Sequence, residues 1–129
     1  MGEHATALLY NLEQTPQGKQ IKCILIQLGV HIKNIQPKQY LIPLGILSGA
    51  EKTTKALFET YTGEGFSEEM LVMKGFSNAL LDEFLLRMRK AKIPRIQLKA
   101  VLTPSNQKWD SITLYEELKK EALSMSNPR

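Results

Sequence analysis

Met70–Leu118, MLVMKGFSNALLDEFLLRMRKAKIPRIQLKAVLTPSNQKWDSITLYEEL, decides the fold, because it carries three well-signalled elements separated by two chemically distinctive loops. The helix is the clearest of them. Ser77 stands where a hydroxyl can accept from the unpaired amides of a first turn. Leu80, Leu81, Phe84, Leu85 and Met88 then recur at helical spacing and make one apolar face. Asp82 and Glu83 lie toward the start and Arg87, Arg89, Lys90 and Lys92 toward the end, as the helix macrodipole favours. Pro94 blocks continuation. Before the helix, Met70 to Met73 is a continuous apolar run, which fits a strand covered on both faces. After it, Ile96, Leu98, Ala100 and Leu102 alternate with Gln97, Lys99 and Val101, giving a second strand with one dry face.

The amino-terminal part repeats this order. Thr6–Leu12 (TALLYNL) has the character of a first strand. Thr15 and Pro16 supply a cap and a proline at the first helical position. Ile21, Ile24, Leu25 and Leu28 form the apolar stripe, and Gly29 is placed to end the helix in a left-handed conformation. Val30–Ile35 reads as a second strand. Cys23, lying among Ile21, Ile24, Leu25 and Ile26, reads as a buried structural thiol.

Residues 6–35 and 70–102 are therefore two pseudo-repeat βαβ halves of a single domain spanning residues 1–129. Two such units joined edge to edge predict an α+β, ferredoxin-like four-stranded antiparallel sheet. An excursion over 36–67 and an extra C-terminal helix over 111–124 complete it. A four-stranded parallel α/β sheet is the alternative, should Tyr40–Leu47 form a strand. Pro43 and Gly45 argue against a long regular element there. Glu51–Tyr61 reads as a short helix, and Thr62–Phe66 as a loose link. The first and third strands are apolar on both faces, so the final helix, the excursion or a second subunit must cover the face left open.

Gly75, Phe76 and Ser77, the leucine-rich helix, and then IPRIQLKAVLTPSNQKW (Ile93–Trp109) before an acidic helix resemble an uncharacterised bacterial family, domain-of-unknown-function family 3783. The likeness runs from about Met70 to Leu118; the amino-terminal half shares only the element order. It implies a small bacterial protein with no assigned activity, and it transfers no catalytic residue.

Composition sets the remaining bounds. With 17 Lys and Arg against 13 Asp and Glu the chain carries +4, but the basic residues are dispersed rather than gathered into one block. A single cysteine excludes an internal disulfide and makes the cytoplasm the expected location. No stretch approaches the ~20 apolar residues that span a bilayer, and the first residues, MGEHATALLYNLEQ, show no secretory pattern. GILSGAEKTT at Gly45–Thr54 lacks the glycine before lysine that a phosphate loop needs. Lys74–Phe76 begins like an RNA-recognition strand but runs into a helix start, so no stacking platform follows. His4 and His31 lack a ligand pattern, and the Glu68–Glu69, Asp82–Glu83 and Glu116–Glu117 pairs diverge as neighbours do. No cofactor, metal or catalytic residue is expected.

The one chemically suggestive segment is Lys99–Trp109. Lys99, Thr103, Ser105, Asn106 and Trp109, with helix-terminal amides and Lys108, are the groups able to hold a small anion or carboxylate. The structural reading is the stronger: Thr103 and Asn106 shape a turn beside Pro104, and Trp109 anchors the last helix. Function is thus expected to be that of a non-catalytic interaction or regulatory module, meeting a second copy or another protein. A small-ligand sensor built on the 99–109 loop is the alternative, and a weak nucleic-acid binder the third.

Overall fold

A computed structural model describes residues 5–50 and 58–125. Two strands, β1 (Thr6–Tyr10) and β3 (Met70–Lys74), run antiparallel through the middle of a four-stranded sheet, with Leu8 opposite Val72. Their apolar residues are buried on both faces, so these two strands need cover on both sides and take the centre. Strand β2 (His31–Asn34) lies parallel to β1 on one edge, and β4 (Leu98–Val101) lies parallel to β3 on the other, giving the order β2-β1-β3-β4.

This order corrects the ferredoxin-like expectation. In that arrangement each βαβ unit is split by a strand of the other half. Here β1 pairs directly with β2 and β3 directly with β4, so each unit closes on itself and the halves meet at β1–β3. A ferredoxin-like order makes β2 and β3 neighbours joined by a hairpin, and the long excursion removes that constraint. The all-parallel alternative does not hold either, because the central pair is antiparallel and Tyr40–Leu47 contains no strand.

Helices α1 (Pro16–Gln27) and α3 (Asn78–Lys90) cover one face. Each begins as expected: Thr15 Oγ1 accepts from Gly18 N at 2.9 Å, and Ser77 Oγ accepts from Leu80 N at 3.1 Å. Gly29 ends α1 at φ +80°. Ala7, Leu9, Leu71 and Met73 of the sheet meet Ile21, Leu25, Phe84 and Met88 of the helices. Cys23 departs from expectation. The buried positions of α1 are Gly18, Ile21, Ile24 and Leu25, which leaves Cys23 on the solvent side.

The other face is covered by the excursion and the last helix. After a 3-10 turn at Pro37–Gln39 comes the one-turn helix α2 (Leu44–Leu47), and α4 (Ser111–Met125) lies alongside. Tyr40, Leu44, Leu47 and Leu114 bury against Leu8, Tyr10, Met70, Val72 and Leu98. Of the three covers expected for this face, the excursion and the last helix are the ones that lie on it.

The segment expected to be a loose link is held by aromatic stacking. Phe66 lies between Tyr40 and Tyr115, with ring centroids 4.8 and 4.1 Å away. Gly65, at φ +75°, lets the backbone pass so close to Tyr40 that a Cβ there would lie 2.9 Å from the ring. Of the helix expected over 51–61, residues 51–57 lie outside the described set and 58–61 are not helical.

Candidate functional site

The loop after β4 is organised by its own side chains. Thr103 N–H donates to Asn106 Oδ1 at 2.8 Å, Asn106 N–H donates to Thr103 Oγ1 at 3.1 Å, and Asn106 Nδ2 donates to the Val101 carbonyl at 3.1 Å. Asn106 thus closes the turn and caps the end of β4. Ser105 is exposed and makes no side-chain hydrogen bond among the described residues. Trp109 packs against the α4-side core, and its carbonyl accepts from Leu44 N at 2.8 Å. The start of α4 already holds a carboxylate, since Asp110 Oδ1 accepts from Thr113 N at 2.8 Å.

Lys99 does not join this group. Strand neighbours alternate between faces, and Lys99 lies on the α3 side with Leu71 while Leu98 and Ala100 lie on the α4 side with Trp109. The structure brings Thr103 and Asn106 together as a turn, and separates Lys99 from Trp109 by the thickness of the sheet.

The polar groups that do converge are elsewhere. Glu68 receives Tyr115 Oη at 2.8 Å and Lys119 Nζ at 3.0 Å, tying the approach to β3 to the outer half of α4. The Lys119 and Tyr115 hydrogen bonds hold its carboxyl at about 2, well below the ordinary carboxylate value. Lys119 is raised in return by its bond to Glu68, and Tyr115 is raised by burial and then by the same carboxylate. Nearby, the Gln17 side-chain amide bonds Glu69, and Asn11, in the left-handed region at φ 61°, donates Nδ2 to the Phe66 and Glu68 carbonyls at 2.8 and 2.9 Å.

This cluster forms one wall of a cleft of about 320 Å³ on the α4 side of β4, bounded by Leu98, Gln97 and Ala122. A second cleft, of about 370 Å³, lies on the α3 side of the same strand, floored by Leu85, Met88 and Ile93 and ringed by Arg89, Arg95 and Lys99. Arg95 borders both. Lys99 Nζ donates to the Ile96 carbonyl at 3.1 Å, and burial, then the neighbouring Arg95, lower its pKa. None of these three cations forms an ion pair among the described residues.

Between the clefts runs the outer edge of β4. Leu102 N–H donates to the Met73 carbonyl at 2.8 Å, so even-numbered residues direct their backbone groups toward β3 and Lys99 and Val101 direct theirs outward. Asn106 occupies the Val101 carbonyl. The Lys99 N–H and C=O and the Val101 N–H have no backbone partner among the described residues.

The carboxy-terminal segment that builds this edge is similar to a known family. Residues 69–125 match the model of the domain of unknown function DUF3783. The matched segment takes in β3, α3, β4 and α4, and with them the edge and the lining of both clefts except Glu68. No curated protein and no solved structure matches the chain. Among the described residues no helix is long and apolar enough to cross a membrane, and no group of three or more His, Cys, Asp and Glu is arranged to hold a metal.

Sequence reasoning named Lys99 and missed Arg95, Glu68 and Lys119. Glu68 and Lys119 are 51 positions apart, and no local spacing announces such a pair.

Proposed function

We propose that this protein is a non-catalytic interaction module that receives an extended segment of a partner protein along the free edge of β4. The observation that carries the reading is the placement of a cleft on each side of that edge, with Leu98 bordering one and Lys99 the other. A strand added to a sheet edge gains affinity from main-chain hydrogen bonds and specificity from pockets for alternate side chains. Folded chains commonly blunt such edges; here β4 is short and carries Lys99, and Asn106 closes its far end, yet the Lys99 backbone groups and the Val101 N–H keep no backbone partner among the described residues. The cytoplasm of a bacterial cell is the setting we assign, supported by the lone cysteine and by the family resemblance.

The test is selection of binders from a displayed library of random twelve-residue peptides, followed by affinity measurement on Val101→Pro. That change removes one outward N–H and is compatible with an edge strand. Selected peptides are expected to lose at least tenfold in affinity for the variant, and to shift the amide resonances of Lys99 and Val101 in the parent protein. Peptides that bind both proteins equally, leaving those resonances unmoved, would defeat the proposal.

A further inference from the structure

The occupant of this edge can be given a chemistry, resting on the interaction reading just proposed. We infer that the bound segment is an acidic β-strand, with a carboxylate side chain entering the α3-side cleft between Arg95 and Lys99 and apolar residues before and after it resting on Leu98 and Ala122. The two clefts differ in charge, and the difference sets the register.

On the α3 side three cations, Arg89, Arg95 and Lys99, ring an apolar floor without an acidic partner among the described residues. Lys99 is partly desolvated beside a like charge. An arriving carboxylate relieves that repulsion and makes charge-assisted hydrogen bonds with Arg95. On the α4 side Lys119 is already spent on Glu68 and Glu69 is engaged by the Gln17 amide, so beside the shared Arg95 that cleft offers Leu98 and Ala122 to an apolar side chain. Alternation along a strand delivers these two chemistries to the two faces.

The same charges disfavour other occupants. Pairing β4 with β4 of a second copy would bring two sets of Arg95 and Lys99 together. Nucleic acid would engage the cations but leave the apolar floors and the backbone edge unused. The opposite edge, β2, is bordered by clefts whose charged linings are one Lys33 and one Glu13, so no ligand charge is selected there.

The probe is a fluorescein-labelled nine-residue peptide of alternating Val and Glu, read by fluorescence anisotropy. It is compared with alternating Val and Lys, with the Val-Glu composition interrupted by a central proline, and with a single-stranded DNA oligonucleotide. The Val-Glu peptide is expected to bind at least tenfold more tightly than the other three. Arg95→Glu, at an exposed position, and Lys99→Gln, at a partly buried one, should each reduce its affinity at least tenfold, and Val101→Pro should do the same. Equal binding of the Val-Glu and Val-Lys peptides, both lost in Val101→Pro, would overturn the acidic assignment and leave the edge reading standing. Binding of no peptide would overturn the acidic assignment, and tight binding of the oligonucleotide alone would replace it with a nucleic-acid partner. An unliganded dimer in native mass spectrometry that Val101→Pro converts to monomer would assign the edge to a second copy and overturn the proposal.

Discussion

The Tyr10 hydroxyl and Ser111 Oγ meet at 2.7 Å inside the α4-side core, joining the end of the first strand to the first residue of the last helix across 101 positions of chain. Both side chains are fully buried, and burial drives the Tyr10 pKa up, with the Ser111 bond acting the other way. Ser111→Ala leaves the phenol buried without that partner and should cost about 1–3 kcal/mol. Tyr10→Phe removes the other half. Urea denaturation of both single variants and the double variant should show the double costing less than the sum, because the second change orphans nothing new.

Tyr40 presents the opposite case. Its hydroxyl is buried and has no hydrogen-bond partner of good geometry among the described residues, because the nearby Asn11 Nδ2 is spent on the Phe66 and Glu68 carbonyls, and burial raises its pKa. Removing an unpaired buried polar group is neutral or stabilising. Tyr40→Phe should therefore leave the urea midpoint unchanged or raise it, by up to about 1 kcal/mol. A loss above that figure would reveal a bond to the hydroxyl.

Gly65 and Gly49 both have positive φ, at +75° and +85°, but only Gly65 faces a neighbour. Alanine at Gly49 should cost the left-handed backbone penalty alone, about 1 kcal/mol. Alanine at Gly65 should cost more, since the new methyl group would push the Tyr40 ring off Phe66. Thermal unfolding of the two variants side by side checks the ranking.

Glu68 makes stability depend on pH in a defined direction. Its folded carboxyl titrates at about 2 against an ordinary 4.5, so its contribution is present above 4.5 and is lost as pH falls toward 2. The stability difference between the parent protein and Glu68→Gln should be largest near neutral pH and vanish at the acid end. Lys119→Met should flatten the same acid limb. The side chains of the pair are about 40% exposed, so added salt should shrink the effect.

Local chemistry was legible where it acts locally. The caps at Thr15 and Ser77, the left-handed stop at Gly29 and the continuous apolar run at Met70–Met73 could each be read from a few neighbouring residues, and each stands in the structure. Thr103, Asn106 and Trp109 could be read as turn and anchor for the same reason. The site is less legible: proximity along the chain groups Lys99 with Trp109, whereas strand alternation sets them on opposite faces of the sheet. The apolar neighbours of Cys23 suggest burial, whereas helix geometry turns it to solvent.

The sequence by itself determined which strands are central, because β1 and β3 are apolar on both faces and only a doubly covered position suits them. It could not determine which edge strand lies beside which centre. The ferredoxin-like order and the observed β2-β1-β3-β4 place the same two strands in the middle and the same two at the edges. Only the tertiary structure made that choice, and with it the cover of the second face by Tyr40, Phe66 and α4, the Glu68–Lys119 pair and the two clefts at β4. Each of these depends on contacts between residues far apart in the chain, whose energies appear only when the layers close.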